Sequence, residues 1–166
     1  YEPLLPGCFH LPSPYTYRNP FKETDPQKLA LNIAQTFEDE IAFQDKNTIA
    51  AFIMEPIQGA GGVIVPDSSF MGLMQEICDR NGILMISDEV ITGFGRTGSW
   101  SGARHWNVKP DMMSMAKGIT SGYFPVGAAL MGEKVADVFE NSNSPEAGIF
   151  HGYTYSGIPV SVAAAL

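Results

Sequence analysis

The sequence predicts an α/β fold on a mostly parallel sheet with one antiparallel strand, and three observations predict it. Short apolar runs over 49–54, 83–87 and 111–116 are each followed by an ionisable residue, namely Glu55, Asp88 and Lys117. The first two runs are joined by one amphipathic stretch with short connections, the strand–helix–strand order that makes a right-handed crossover and a parallel pair. The link from Lys117 to the next strand-like run at Pro125 is too short for a helical crossover, so that strand is expected to run antiparallel. In open α/β sheets the ligand crevice lies outside the carboxyl ends of the strands, so three such endings in succession predict one shared site.

The elements follow in order. Pro3, Pro6, Pro12, Pro14 and Pro20 each fix φ and remove a backbone donor, so the first 25 residues read as an extended connection over the surface. Asp25 as N-cap and Pro26 in the first turn open a helix over 26–43, with Leu29, Ile33, Phe37 and Ile41 on one stripe. The run 49–54 reads as a buried strand closed by Pro56 and the turn-rich Gly59-Ala60-Gly61-Gly62. Asp67, Ser68 or Ser69 caps a helix showing Phe70, Leu73, Met74 and Ile77 on one face, and Asn81-Gly82 supplies its left-handed stop. Strand 83–87 follows at once. The Gly-rich stretch 92–100 has no periodicity and is expected to be loop leading to one short helix. Residues 125–132 read as a strand, 133–139 as a short helix, and Pro159 opens a terminal helix.

Composition narrows the function. The chain has 166 residues, 45% hydrophobic and 17% charged, enough for one sizeable core. Its 18 acidic and 10 basic residues give a net charge of -8, which disfavours nucleic acid or an anionic membrane surface and favours a small-molecule partner. Cys8 and Cys78 form no CxxC, so neither a disulfide framework nor a zinc site is indicated and a reducing, cytoplasmic setting is expected. No run approaches the ~20 apolar residues of a membrane span. The chain opens on Tyr1 rather than Met and stops inside the apolar stretch 160–166, so it is expected to be a segment of a larger protein.

Each ionisable strand ending has two readings. Lys117, before Gly118, sits where a side chain can enter a cleft; an amine there loses hydration, its pKa falls, and it becomes able to form a Schiff base with a carbonyl. The plainer reading is a surface lysine, the common situation for this residue type. Asp88 ends a run with no polar residue before Ser87, so its carboxylate needs a cationic or hydrogen-bonded partner, for which a protonated pyridine nitrogen would serve. The alternative is an Asp that caps the following turn. Glu89 competes with it, but strand alternation sends the two to opposite sides, so one of them faces the cleft. Glu55, before Pro56 and the glycine turn, suits a carboxylate beside a backbone that approaches a ligand closely, or else one that stabilises its own turn. The stretch 151–157 precedes Pro159, where its hydroxyls and free N–H groups could hold a phosphate or form a capping box. His10, His105 and His151 are scattered without metal-ligand spacing, and neither GxGxxG after a strand nor GxxxxGK[ST] occurs.

Taken together, Glu55-Pro56-Ile57-Gln58-Gly59-Ala60-Gly61-Gly62, 87–98 from Ser87-Asp88-Glu89 to Arg96-Thr97-Gly98, Met115-Ala116-Lys117-Gly118 and 152–157 from Gly152-Tyr153-Thr154 resemble the class III aminotransferases. The four motifs stand in the family's order and cover 49–166, while the first 48 residues carry no motif. The resemblance implies a fold-type I large domain with helices on both sheet faces and pyridoxal 5′-phosphate (PLP) as cofactor. It implies that Lys117 is the Schiff-base lysine and proton shuttle, and that Asp88 pairs with the pyridine nitrogen. Val90 would pack on the ring. Tyr153 and Thr154 would reach the phosphate of the neighbouring subunit's cofactor in a homodimer. Glu55 would lie at the substrate end, and Arg96 would be structural.

One departure is Ile91, where some members have a Gln that contacts the ring hydroxyl. With the two glycine turns, Ile91 looks more like the ω-amino acid and amine:pyruvate transaminases, which take an amine or amino acid and a keto acid. The segment 1–166 is then the central part of the large domain, without the phosphate loop expected before it and the small domain expected after it. Such a segment alone is expected to be inactive. The same residues also fit an aminomutase, racemase or decarboxylase of this fold, or a non-catalytic relative.

Overall fold

A computed structural model describes residues 3–144 and 146–166. The extended connection holds no helix or strand over 3–25; the part of that reading at Tyr1 and Glu2 lies outside the described residues.

Helix α1 spans Pro26–Gln44. Asp25 accepts the Lys28 N–H, and Pro26 stands where no intrahelical donor is needed. Leu29, Ile33, Phe37 and Ile41 are all buried against helix α2, Phe70–Asn81, whose own inner face is Phe70, Met71, Met74, Ile77 and Cys78. Among the three candidate caps of α2, Asp67 builds the entry turn by accepting both the N–H and the hydroxyl of Ser69. Gly82 closes the helix at φ +70°, and Ile83 N–H donates back to Cys78 O at 3.0 Å.

The strands β1 (Ala51–Met54), β2 (Leu84–Asp88), β3 (Met112–Met115) and β4 (Ala128–Met131) lie in the sheet order β1-β2-β3-β4. The pairs β1–β2 and β2–β3 are parallel and β3–β4 is antiparallel, as the connection lengths require. Helix α3 (Gly102–His105) is the short helix of the glycine-rich stretch, and a 3-10 turn over Lys117–Thr120 makes the tight link to β4. Helices α4 (Glu133–Glu140) and α5 (Pro159–Ala165) complete the chain. Asp111 fastens the entry to β3 beside β2, exchanging backbone bonds through its N–H and its Oδ2 with Met85, while its Oδ1 pairs with Lys134 at 3.1 Å.

One expectation is corrected. β1 is shorter than 49–54 and is not buried on both faces: Ala51 and Ile53 are exposed, Ile53 at 61%, while Phe52 and Met54 pack on the core. It is the terminal strand of this four-strand order, and α1 and α2 cover one of its faces. The same pleat runs through β2, where Met85 and Ser87 are buried and Leu84, Ile86 and Asp88 are half-buried. Among the described residues no helix is long and apolar enough to cross a membrane.

Candidate active site

Parallel order places the carboxyl ends of β1, β2 and β3 along one edge of the sheet. Met54 pairs with Ser87, so Glu55 and Asp88 follow at the same level, and Asp88 pairs with Ser114, three residues before Lys117. The shared edge expected from the three run endings is therefore present.

Asp88 Oδ1 accepts the Val90 N–H at 3.0 Å, so this residue does cap the turn that follows its strand. That bond uses one oxygen, and among the described residues no other hydrogen bond engages the carboxylate. Glu55 also stabilises its own turn: its Oε2 accepts the Gly59 N–H at 2.9 Å. A Cβ at Gly59 would stand 2.1 Å from Ile91 Cδ1, so the Ile91 side chain seats directly on the turn that carries Glu55 and a larger residue there would displace it. Ile91 thereby joins the ends of β1 and β2. Both Glu55 and Asp88 line a cavity of about 730 Å³ that wraps the free side of β1 under residues 7–14. Its roof is tied down where Ser13 Oγ donates to Gln58 Oε1 at 2.6 Å. A volume of this size suits a small organic ligand.

Lys117 stands on the same sheet edge but does not line this cavity. The expected loss of hydration is also corrected: Lys117 is exposed, because the chain turns out of β3 into the 3-10 turn and nothing in the described residues covers the side chain. Its backbone is held at φ +46°, a left-handed conformation that costs a residue with a Cβ about 1–2 kcal/mol and recurs at functional positions. Gly118 behind it is packed close, since a Cβ there would meet Phe94 Cβ at 3.3 Å. Half-buried Val90 lies outside the cavity lining.

Tyr153, 75% exposed, and Thr154, also exposed, belong to a self-contained turn in which the Tyr153 N–H donates to Ser156 Oγ and the Ser156 N–H to Tyr153 O. The structure does not bring them to the cavity. Arg96 is exposed and makes no hydrogen bond or ion pair among the described residues.

Glu89 carries more structure than its place beside Asp88 suggested. It is fully buried and accepts bonds from Ser87 Oγ at 2.8 Å, Gly102 N–H at 2.7 Å, Ala103 N–H at 2.8 Å and the Thr92 hydroxyl. The signal for its burial was the alternation itself, which continues Met85 and Ser87 to Glu89 on the helix side. Cys78 is the other buried ionisable group that stands out. Burial, reinforced by the nearby charges of Asp79 and Asp111, pushes its thiol up to about 12.

The donor set at the edge is a carboxylate with one oxygen unengaged and an uncovered primary amine on neighbouring strand ends. Such a pair fits a ligand with a basic ring nitrogen at one end and a carbonyl at the other.

Residues 1–166 match the sequence model of the family described as aminotransferase class-III. The chain is 41% identical over 162 residues to the putrescine–pyruvate aminotransferase of Pseudomonas aeruginosa, covering 98% of this chain and 34% of that protein. It superimposes with a TM-score of 0.95 on the PLP-bound crystal structure of an amine transaminase from an uncultivated Pseudomonas species, at 50% identity, covering 99% of this chain and 37% of that one. An (S)-enantioselective omega-transaminase from Thermomicrobium roseum matches with a TM-score of 0.90 and 41% identity, over 99% of this chain and 36% of that one. The chain thus spans about a third of the length of these relatives.

Proposed function

Because this chain belongs to the class-III aminotransferase family, we propose that the whole protein is a PLP-dependent transaminase. It moves an amino group from an amine or an ω- or α-amino acid to a keto acid such as pyruvate. The observation that carries the reading is the parallel order β1-β2-β3, which aligns Glu55, Asp88 and Lys117 along one sheet edge. Residues 1–166 are then the central part of the large domain, in keeping with their share of the relatives' length.

Bound at this edge, PLP supplies an electron sink for the electron pair left on carbon when a substrate C–H bond breaks. Asp88 holds a proton on the ring nitrogen through charge and hydrogen bonding, a role its unengaged oxygen leaves open. Lys117 would hold the cofactor through its amine, and the same amine would carry the proton to and from the substrate carbon. Val90, half-buried beside Asp88, would pack on the ring. Glu55, kept in place by the Gly59 N–H, faces the substrate end. Tyr153 and Thr154, both uncovered in this chain, would reach the phosphate of the partner subunit's cofactor in a homodimer. Two unpaired cysteines support a cytoplasmic setting.

The test uses the whole protein loaded with PLP. Adding an amine is expected to shift the visible absorbance band, and continued turnover is expected to require a keto acid. Turnover that proceeds without a keto acid would exclude a transaminase.

A further inference from the structure

Glu89 touches all three strand ends of the candidate site without entering it. Its own N–H donates to Ser114 O at 2.9 Å and so closes the β2–β3 ladder just beyond Asp88. Its C=O accepts the Gly93 N–H at 2.9 Å, and a Cβ at Gly93 would fall 2.8 Å from that oxygen, so the chain can turn this tightly only with glycine there. Next along, Phe94 covers Gly118, the neighbour of Lys117. The carboxylate grips Gly102 and Ala103 through their backbone N–H groups. Gly102 in turn lies flat on Pro56, where a Cβ would meet Pro56 Cβ at 2.6 Å, and Pro56 follows Glu55. One residue thus reaches all three: its carboxylate holds Gly102, which packs on Pro56 after β1, and Ser87 beside Asp88 on β2, while its main chain bonds Ser114 of β3 and starts the turn that brings Phe94 onto Gly118.

The bond accounting makes the residue type specific. Oε1 accepts one hydroxyl and one backbone N–H, from Ser87 and Ala103, and Oε2 accepts one of each from Thr92 and Gly102. Four donors on two oxygens is what an acceptor-only carboxylate satisfies. A glutamine presents an NH₂ on one side, and whichever side it takes, that NH₂ points at a backbone N–H. A buried donor facing a donor loses its bond and gains none.

We infer that Glu89 is the positioning residue of the site: its buried carboxylate, held by Ser87, Thr92, Gly102 and Ala103, sets Asp88 and Lys117 in the relative placement that orients the cofactor. This rests on the PLP reading above. The assignment goes beyond burial because each of its four bonds ends in a segment that packs on, or is continuous with, a site residue.

The experiment compares the whole protein with its Glu89→Gln and Thr92→Val variants, each freed of cofactor and titrated with PLP. Three quantities are read: the dissociation constant, the visible circular dichroism of bound PLP, which reports its fixed orientation, and the melting temperature of the cofactor-free form. Glu89→Gln is expected to weaken PLP binding roughly tenfold and to cut the visible dichroism per bound PLP by about half. Thr92→Val, which removes one hydroxyl and keeps the side-chain volume and both backbone bonds, is expected to act in the same direction by roughly threefold. Variants that melt lower but keep the parental dissociation constant and dichroism would overturn the inference and leave Glu89 a structural residue. If Glu89→Gln does not fold, Thr92→Val decides alone, and parental values in it overturn the inference. A parent protein without any PLP dichroism would instead sink the functional reading.

Discussion

Residues 26–110 and residues 121–166 are built in contrasting ways. The first region holds the hydrophobic core, from Leu29 on α1 to Val108 before β3, with Leu29, Ile33 and Met74 fully enclosed. In the second, Ser161 is the one buried position among the described residues, α4 buries none, and Phe150, Tyr123 and Tyr155 stand 89%, 86% and 79% exposed. The two regions have similar appetite for burial in their sequences, but only the first meets its partners within the chain. Glu55 and Asp88 belong to the first and hold defined hydrogen bonds. Lys117 lies at the border, and Tyr153 and Thr154 belong to the second. The site is thus rigid where carboxylates are placed and open where the amine and the phosphate contacts are expected.

The sharpest way to break this contrast is at the border. Lys117→Ala in the whole protein is expected to abolish the borohydride-reducible cofactor linkage and to lower transamination by roughly 10³-fold. Mass spectrometry of the reduced protein reads it directly, and a retained adduct would move the anchor away from Lys117.

Within the isolated chain, Met74→Ala is expected to cost about 2–5 kcal/mol by opening a cavity between α1 and α2, whereas Phe150→Ala stays within about 0.5 kcal/mol. Urea unfolding of both variants measures the difference. Repeating Phe150→Ala in the whole protein sharpens the point, because a large cost appearing only there would show that the second region packs on surfaces this chain does not supply.

A smaller effect separates backbone from chemistry at Lys117. At φ +46° glycine avoids the Cβ strain, so Lys117→Gly is expected to be more stable than Lys117→Ala by about 1 kcal/mol, although both lack the amine. Equal melting temperatures would mean that the left-handed turn is not held in solution.

The remaining effect is a slope confined to alkaline pH. Cys78 keeps its proton in the fold up to about 12, against 9.0 for the ordinary thiol. The unfolded chain therefore releases this proton first, and stability is fully present below pH 9 and declines as pH rises toward 12. Cys78→Ala should remove that part of the alkaline decline in urea titrations. In the native protein, exposed Cys8 should take up a thiol reagent while Cys78 does not.

How much was legible follows from the range of each interaction. The helix α1 was readable because Asp25, Pro26 and the Leu29–Ile41 stripe are local signals. Strand directions were readable because connection length decides between parallel and antiparallel neighbours. The two roles weighed for Asp88 and Glu55 could not be separated by reading. Both do bind their own turns, and the structure adds that both line one cavity. The burial assigned to 49–54 failed, and of the two readings of Lys117 the exposed one holds in this chain, for one reason: an apolar run says what a segment would bury and not whether a neighbour is present.

The chain by itself determined the parallel pairing of the first two strands, the antiparallel direction of the last and the expectation that Glu55, Asp88 and Lys117 share one edge, since these follow from loop length and from where the apolar runs end. Only the tertiary structure decided that Glu89 would close a knot with Gly102 and Ala103, thirteen and fourteen residues away, and that Ile91 would seat on Gly59. Those contacts depend on where the glycine-rich loop returns. No periodic pattern encodes that return, because it is set by packing of Gly102 against Pro56 and Thr92, which are distant in sequence.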